Sequence, residues 1–384
     1  MSMPAASTPV SLLSITLTTL YFPLGSLKVS PSYPPRTRNF LPQLEGLRGV
    51  AATGVLLTHT AFQTGMSQSG IAGAILARFD FFVAVFFGLS AFLLWRGDHS
   101  GSPLSYFRRR AFRILPAYWV CVLLVFAFLP DSFGTGWRTI LATLTFTQVY
   151  PAHSLAGGLT HLWSLSVEVA FYLFLPVLVW ALRGVSKSKR LLCFFGMFAA
   201  GIGWAAVPWP LDLAGGINFQ IFPPSYAPWF VIGLIAAELE GTRITAWKGF
   251  NLTWLWWALA LGVAWVAGQP WFGPQGLTHP TPGEFVRKIL AGALFGALIL
   301  LPYAWRTGSA RASLLSSRPL LTLGRWSYSL FLWHLPVLSM VFPLLGIAPF
   351  SGHFILVTAV CFVGSVIVAA ASFTLVEKNA RWVR

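Results

Sequence analysis

Long apolar runs, separated by short polar or basic segments, follow one another through most of this chain. Several of them approach the roughly 20 apolar residues that an α-helix needs to cross a bilayer. The ~10-residue alternating segments of a membrane-spanning barrel are not evident. The pattern therefore predicts an all-α polytopic membrane protein with about ten transmembrane helices, at 46–65, 76–95, 111–129, 161–182, 191–208, 226–240, 252–268, 286–304, 325–346 and 353–375.

Composition excludes an ordinary soluble globule. Hydrophobic residues make up 56% of the 384 and charged residues only 9%, whereas a soluble domain carries about 25% charged residues. The mean hydropathy is +0.71. We therefore expect a multi-pass protein of the plasma membrane that has the lipid bilayer as its first partner.

The positions of the charges decide the orientation better than the net charge of +16 does. If the N-terminus is cytoplasmic, all Lys and Arg residues except Arg78, Arg138, Arg287 and Lys288 fall in cytoplasmic segments or at adjoining helix ends. The positive-inside rule then predicts that both termini are cytoplasmic, and the basic excess requires no nucleic-acid partner. The same count favours an external or re-entrant position for 137–160, because a crossing there would turn the later basic loops outward.

A single membrane domain is expected to account for nearly all of the chain. We predict a flexible cytoplasmic extension over 1–40, a membrane domain over 41–380 and a cytoplasmic tail over 381–384. The three cysteines lie within apolar runs, without disulfide or metal-thiolate spacing, and are interpreted as buried hydrophobic side chains. Neither a metal nor a permanently bound cofactor is predicted.

The first apolar run carries an ionisable pair, Arg48 and His59, with Glu45 just before it. Eleven residues of α-helix correspond to about 16 Å of rise and about 20° of rotation, so both side chains should lie on one helix face. An ionisable group inside a membrane helix is costly and usually marks a functional, polar cavity. A lone histidine can also be a satisfied core residue, but the second charge on the same face favours a functional interpretation.

A basic cluster opens the third run, where the segment SYFRRRAFRILPAYW (105–119) holds Arg108, Arg109, Arg110 and Arg113. Such a cluster can simply anchor a helix at the lipid headgroups. Four arginines within six residues exceed that need, and guanidinium groups bind phosphate in a bidentate manner. A phosphorylated cytosolic ligand is therefore predicted at this end.

The segment HLWSLSVEVAFYLFLP (161–176) places His161 and Glu168 seven residues apart and therefore on one helix face. Ser164 and Tyr172 lie nearby. A carboxylate in so apolar a run needs a partner such as His or Arg, so the two residues form either a structural ion pair or part of a site.

The segment GRWSYSLFLWHLPV (324–337) gives its helix a polar stripe that includes Tyr328 and His334. His334 stands two residues before Pro336. It either caps the kink that this proline introduces or takes a direct part in the site; the sequence leaves both open.

Taken together, these segments resemble the acyltransferase-3 family of integral membrane acyltransferases, which O-acylate surface polysaccharides, peptidoglycan and other glycans. The resemblance covers nearly all of 41–380, and the segments occur in the family's order. Two departures are Ala91, where the family usually has Gly, and Glu45, where Asp is common. The matching segments are LEGLRGVAATGVLLTH (44–59), FFGLSAFLL (86–94), RRAFRILPAYW (109–119), WSLSVEVAFYLFLP (163–176) and GRWSYSLFLWHLP (324–336).

The resemblance implies ten spans, a cytosolic acyl-CoA donor and a set of site residues. His59 is implied to be the essential histidine, with Arg48 as its companion, and Glu168 is expected to hold or polarise its imidazole. The arginine motif, expected to hold the donor's phosphates, matches Arg109, Arg110 and Arg113.

The predicted activity is therefore transfer of an acyl group, whether acetyl, succinyl or longer, from acyl-CoA as co-substrate to a hydroxyl of a cell-envelope glycan or glycolipid. Some family members carry a fused extracellular esterase-like domain. Without one, this chain is expected to deliver the acyl group itself or to pass it to a separate partner. The alternative prediction is a transporter or flippase of an acylated or anionic metabolite, since such proteins also use intramembrane ionisable groups.

Overall fold

A computed structural model describes residues 41–97, 102–208, 216–274, 279–305 and 313–380. These residues belong to one compact unit that begins at Leu41. The predicted extension over 1–40 and tail over 381–384 lie outside the described residues. Within them the structure has helices and no strand: α1 Pro42–Gln63, α2 Gly70–Ala77, α3 Phe82–Trp95, α4 Pro103–Phe128, α5 Trp137–Leu144, α6 Trp163–Ala181, α7 Lys187–Ala206, α8 Ala227–Leu239, α9 Thr253–Ala267, α10 Pro282–Ala304, α11 Arg318–Leu345, α12 Phe354–Ser372 and α13 Lys378–Ala380.

Each of the ten predicted runs overlaps a helix, which confirms the all-helical prediction for the described residues. Seven helices there are long and apolar enough to cross a membrane. The chain is therefore a multi-pass membrane protein, while the number of ten crossings and the cytoplasmic termini stay predictions. Helix α8 has 13 residues and α9 has 15, so both fall short of the ~30 Å hydrocarbon core at about 1.5 Å per residue.

The doubtful segment after α4 does not form a crossing helix. Helix α5 has only eight residues, about 12 Å of rise. The chain then continues in turns, and Phe146 and His153 have positive φ. A crossing helix at 137–160 is excluded, as the charge count predicted.

Helix starts follow from local sequence. Pro42 begins α1 at a position where its missing N–H costs no hydrogen bond. Ser102 accepts from the Ser105 N–H at the start of α4, 3.2 Å away. At α10 the Thr281 hydroxyl and the Glu284 carboxylate cap each other's backbone N–H. These caps fix the starts of α1, α4 and α10.

The centre of the bundle is the contact between α1 and α11, which run parallel. Glycines bring the two backbones together: a Cβ on Gly46 or on Gly324 would overlap a backbone carbonyl of the other segment, of Leu315 and Glu45 respectively. Small residues allow this close approach between membrane helices. As a result, side chains that α1 and α11 turn toward each other meet directly.

Candidate active site

Three histidines from different parts of the chain form a cluster. His59 is near the end of α1, His334 is in the middle of α11, and His161 lies in a short 3₁₀ turn, Thr160–Leu162, that precedes α6. His334 Nε2 lies 3.0 Å from His59 Nδ1. The His161 ring centre is 4.7 Å from that of His334 and 6.4 Å from that of His59. These three imidazoles form the histidine cluster.

The cluster is shielded from solvent to different degrees. The exposed fraction is 0% for His334 and 3% for His161, whereas His59 is only partly buried. Its position four residues before the end of α1 places it toward the end opposite Arg48. His59 is thus the least buried member of the cluster.

A proline creates the acceptor that holds His161. Pro336 has no N–H, so the carbonyl four residues earlier in α11, that of Leu332, loses its helical partner. His161 Nε2 lies 3.2 Å from this oxygen. His334 Nδ1 lies 2.7 Å from the Phe331 carbonyl in the same turn. His334 therefore contacts the backbone of its own helix through one nitrogen and His59 through the other. The carbonyl that Pro336 frees is contacted by His161 and not by His334.

Glu168 forms a second polar group, closer to the opposite side of the bundle. Its Oε1 accepts hydrogen bonds of 2.5 Å from Ser90 of α3 and from Tyr172 of α6. Tyr106 of α4 donates to the Tyr172 carbonyl at 3.1 Å, another acceptor freed by a proline, because Pro176 stands four residues further on. We call Glu168, Ser90, Tyr172 and Tyr106 the carboxylate network.

The prediction that Glu168 holds the imidazole has no contact to support it among the described residues. The hydrogen-bond partner of the His59 ring there is His334. His161 lies in a 3₁₀ turn, and α6 begins only at Trp163. Two steps of about 120° followed by five of about 100° leave His161 and Glu168 within about 20° of each other, but they also place the two residues about 11 Å apart along the axis. The carboxylate therefore lies well below the histidine cluster and bonds to Ser90 and Tyr172 instead.

The arginines lie at the same end as the carboxylate network. Arg110 is partly buried and lies one helical turn after Tyr106 in α4. Arg109 Nη1 donates to Ser105 at 3.1 Å, and Arg108 is exposed, with its guanidinium 5.7 Å from the Phe112 ring centre.

Arg48 and His59 both reach α11, which confirms that they share one face of α1. Arg48 Nε donates to the Ser327 hydroxyl at 3.4 Å, and His59 meets His334. Seven residues separate these two partners, about 10 Å along α11. The neighbouring Tyr328 donates to the Ile114 carbonyl of α4 at 2.9 Å, which joins α11 to the arginine-bearing helix.

Two other predicted residues take supporting positions. Ser164 donates to the His161 carbonyl at 3.2 Å and steadies the 3₁₀ turn. Glu45 lies in the first turn of α1, where its carbonyl packs against Gly324. Among the described residues, no group of three or more His, Cys, Asp or Glu side chains is arranged to hold a metal ion.

Sequence reasoning missed Asp80, Lys288, Ser90 and Tyr106. Lys288 Nζ lies 3.1 Å from Asp80 Oδ2. A signal was present, since Lys288 was an exception to the charge pattern. Ser90 and Tyr106 were inside segments already singled out, FFGLSAFLL and SYFRRR.

Comparisons with known proteins match most of the chain to acyltransferases. The acyltransferase-3 family model, described as an acyltransferase domain, matches residues 41–373. Acyltransferase MdmB of Streptomyces mycarofaciens is 29% identical over an alignment of 341 positions that covers 82% of each chain. No solved structure matches.

Two O-acetyltransferases match this chain over only about half of their own length. O-acetyltransferase OatA of Staphylococcus aureus is 24% identical, over 82% of this chain and 53% of its own. Peptidoglycan O-acetyltransferase OatA of Listeria monocytogenes is 25% identical, over 90% of this chain and 56% of its own. The chain thus spans about half the length of these two relatives.

Proposed function

The chain belongs to the acyltransferase-3 family, and on that basis we propose that it is a membrane O-acyltransferase. It transfers an acyl group from cytosolic acyl-CoA to a hydroxyl of a cell-envelope glycan or glycolipid. The two OatA relatives are named as O-acetyltransferases, in one case of peptidoglycan. Acetyl is therefore the first acyl group to test, and a peptidoglycan fragment the first acceptor.

The observation that carries the proposal is the placement of polar groups inside an apolar bundle. At one end lie the arginines and the carboxylate network; about 10 Å further along α11 from Ser327 lies His334, in contact with His59. Polar and ionisable groups are costly in a membrane and mark a path or a reaction site. The arrangement suits a donor whose phosphates bind at one end and whose thioester lies at the other.

The arginines have the chemistry that the donor requires. CoA carries several phosphate groups, and guanidinium forks bind phosphate through paired N–H donors. Arg109, Arg110 and Arg113 are each partly exposed. In the predicted orientation they face the cytoplasm, where acyl-CoA is present. Arg48 lies at a similar depth in the bundle to these arginines. Its partner Ser327 directly precedes Tyr328, which bonds to the Ile114 carbonyl of the arginine-bearing helix α4.

His59 performs the proton transfers in this scheme. An imidazole exchanges protons near neutral pH and serves as a general base. His59 takes the proton of the acceptor hydroxyl as its oxygen attacks the thioester carbonyl. The C–O bond forms, the C–S bond breaks, and His59 returns the proton to the CoA thiolate. The products are an O-acyl ester and free CoA.

A direct assay tests the proposal. Purified protein in lipid nanodiscs is incubated with acetyl-CoA labelled in the acetyl group and with a peptidoglycan oligosaccharide, and free CoA and labelled ester are measured by mass spectrometry. We expect transfer by the natural protein and a loss of at least about 100-fold for His59→Ala, the lower range for a general base. His279→Ala is the matched control, since that histidine is exposed and outside the helices.

Other acyl-CoA thioesters are tested in parallel, because the acyl group is not fixed by this site. The proposal fails if no thioester is consumed with any donor or acceptor, or if folded His59→Ala retains full activity. Uptake of the labelled compound into vesicles without thioester loss would instead support the transporter alternative.

A further inference from the structure

His334 has both ring nitrogens engaged, and the two contacts differ in kind. Nδ1 lies 2.7 Å from the Phe331 carbonyl oxygen, which can only accept a hydrogen bond. Nε2 lies 3.0 Å from His59 Nδ1, which can accept or donate. No carboxylate among the described residues contacts either nitrogen. Because an unpaired buried charge is very costly, this fully buried ring is neutral.

These contacts fix the protons on both rings. A neutral imidazole has one donor and one acceptor nitrogen. His334 must carry its proton on Nδ1 in order to donate to the Phe331 carbonyl, so its Nε2 is an acceptor. The proton between the two rings therefore belongs to His59 Nδ1, which donates to His334 Nε2. It follows that His59 Nε2 carries no proton and has a free lone pair.

From this chain of contacts we infer that His334 is the positioning residue that makes His59 a base. The inference rests on the proposed function and deepens it. His334 holds the His59 ring in one orientation and in one tautomer, with Nε2 presented to the acceptor hydroxyl. The carboxylate that usually orients a catalytic histidine is here replaced by a neutral imidazole, anchored on the backbone of its own helix.

The proton movements balance without any other group. During attack, His59 Nε2 takes the acceptor's proton and the ring becomes an imidazolium, while Nδ1–H continues to donate to His334 Nε2. That hydrogen bond strengthens because its donor is now charged. When the C–S bond breaks, Nε2 returns the proton to the CoA thiolate. His334 itself neither gains nor loses a proton.

A purely structural role for His334 makes a different prediction. In that case only the hydrogen bond to Phe331 would matter, and any side chain that keeps it would be sufficient. Asparagine is the discriminating variant, because its short amide can donate to the Phe331 carbonyl but cannot reach His59. Glutamine is one methylene longer and can place a carbonyl oxygen near the position of Nε2, where it accepts from His59 Nδ1.

The test compares kcat and KM for acetyl-CoA among the natural protein, His334→Asn and His334→Gln, all as full chains in nanodiscs. We expect His334→Asn to lower kcat by about 10²–10⁴, the range for general-base catalysis and for loss of the right tautomer. The KM of His334→Asn for acetyl-CoA should stay within about twofold of the natural value. The kcat of His334→Gln should be at least about tenfold higher than that of His334→Asn. Ser339→Ala is the matched control, since that hydroxyl contacts only backbone of α11 among the described residues.

The proposal is overturned if His334→Asn retains the natural kcat, or if His334→Gln is no better than His334→Asn. Absence of transfer by the natural protein would instead defeat the proposed function, so the two failures are distinguishable. ¹⁵N spectra of histidine-labelled natural protein provide a readout that does not depend on a folded variant. The resonances lost in His59→Ala should show a protonated Nδ1 and a bare Nε2; the reverse pattern refutes the inference.

Discussion

Removal of the Lys288 ammonium should destabilise the protein, because it takes away the cation that forms an ion pair with the Asp80 carboxylate. The two groups are 3.1 Å apart, and their side chains are 13% and 31% exposed. At an effective dielectric constant of about 20, such a pair attracts with about 5 kcal/mol, part of which is offset by desolvation. Breaking a fully buried pair from one side costs about 3–5 kcal/mol, so we expect about 1–3 kcal/mol for Lys288→Met here.

The assay is the midpoint of thermal unfolding in one detergent, followed by tryptophan fluorescence. A loss of this size corresponds to a midpoint lower by roughly 2–8 °C. The double variant Asp80→Asn with Lys288→Met removes both charges and should recover at least half of the loss. Arg287→Met, at an exposed position of the same helix, should change stability by no more than about 0.5 kcal/mol. An unchanged midpoint for Lys288→Met, or a double variant no more stable than the single one, would refute the reasoning.

Two further predictions separate the roles of the polar groups. The kcat of Glu168→Gln should be at least about tenfold higher than that of His334→Asn, because the carboxylate contacts Ser90 and not the His59 ring. Equal losses of kcat in the same transfer assay would contradict this. Pro336→Ala should lower kcat without lowering the midpoint of unfolding, because the new N–H binds the carbonyl that holds His161 and restores a helical hydrogen bond; unchanged kcat would contradict it.

Helical phase was predictable where a helix is continuous. Arg48 and His59 lie within one uninterrupted helix, so the eleven-residue spacing correctly placed both on the face toward α11. For His161 and Glu168 a shared face was not enough to produce a contact, because about 11 Å of rise separates the two residues. Spacing predicts which side chains point the same way, and it does not predict which of them meet.

Pairing between distant segments was not predictable from spacing. His59 and His334 are 275 positions apart, and helical periodicity describes only one helix at a time. The sequence nevertheless contains the cause of their contact, since Gly324 lets α11 approach the backbone of α1, and Gly46 lets α1 approach the turn at Leu315 just before α11. Charge gave a similar hint: Lys288 broke the positive-inside pattern and proved to be paired with Asp80.

The use of proline explains how this bundle accommodates polar side chains without adding charge. In an apolar medium every hydrogen-bonding group needs a protein partner, and an α-helix normally uses all of its inner carbonyls. Pro336 and Pro176 each free one carbonyl, and the freed oxygens accept from His161 and Tyr106 of other segments. Each proline thus supplies a neutral, rigid acceptor at a fixed depth. A carboxylate in the same position would bring a charge that itself needs a partner. Prolines inside the helices are therefore the less costly way to anchor the His161 ring and the Tyr106 hydroxyl.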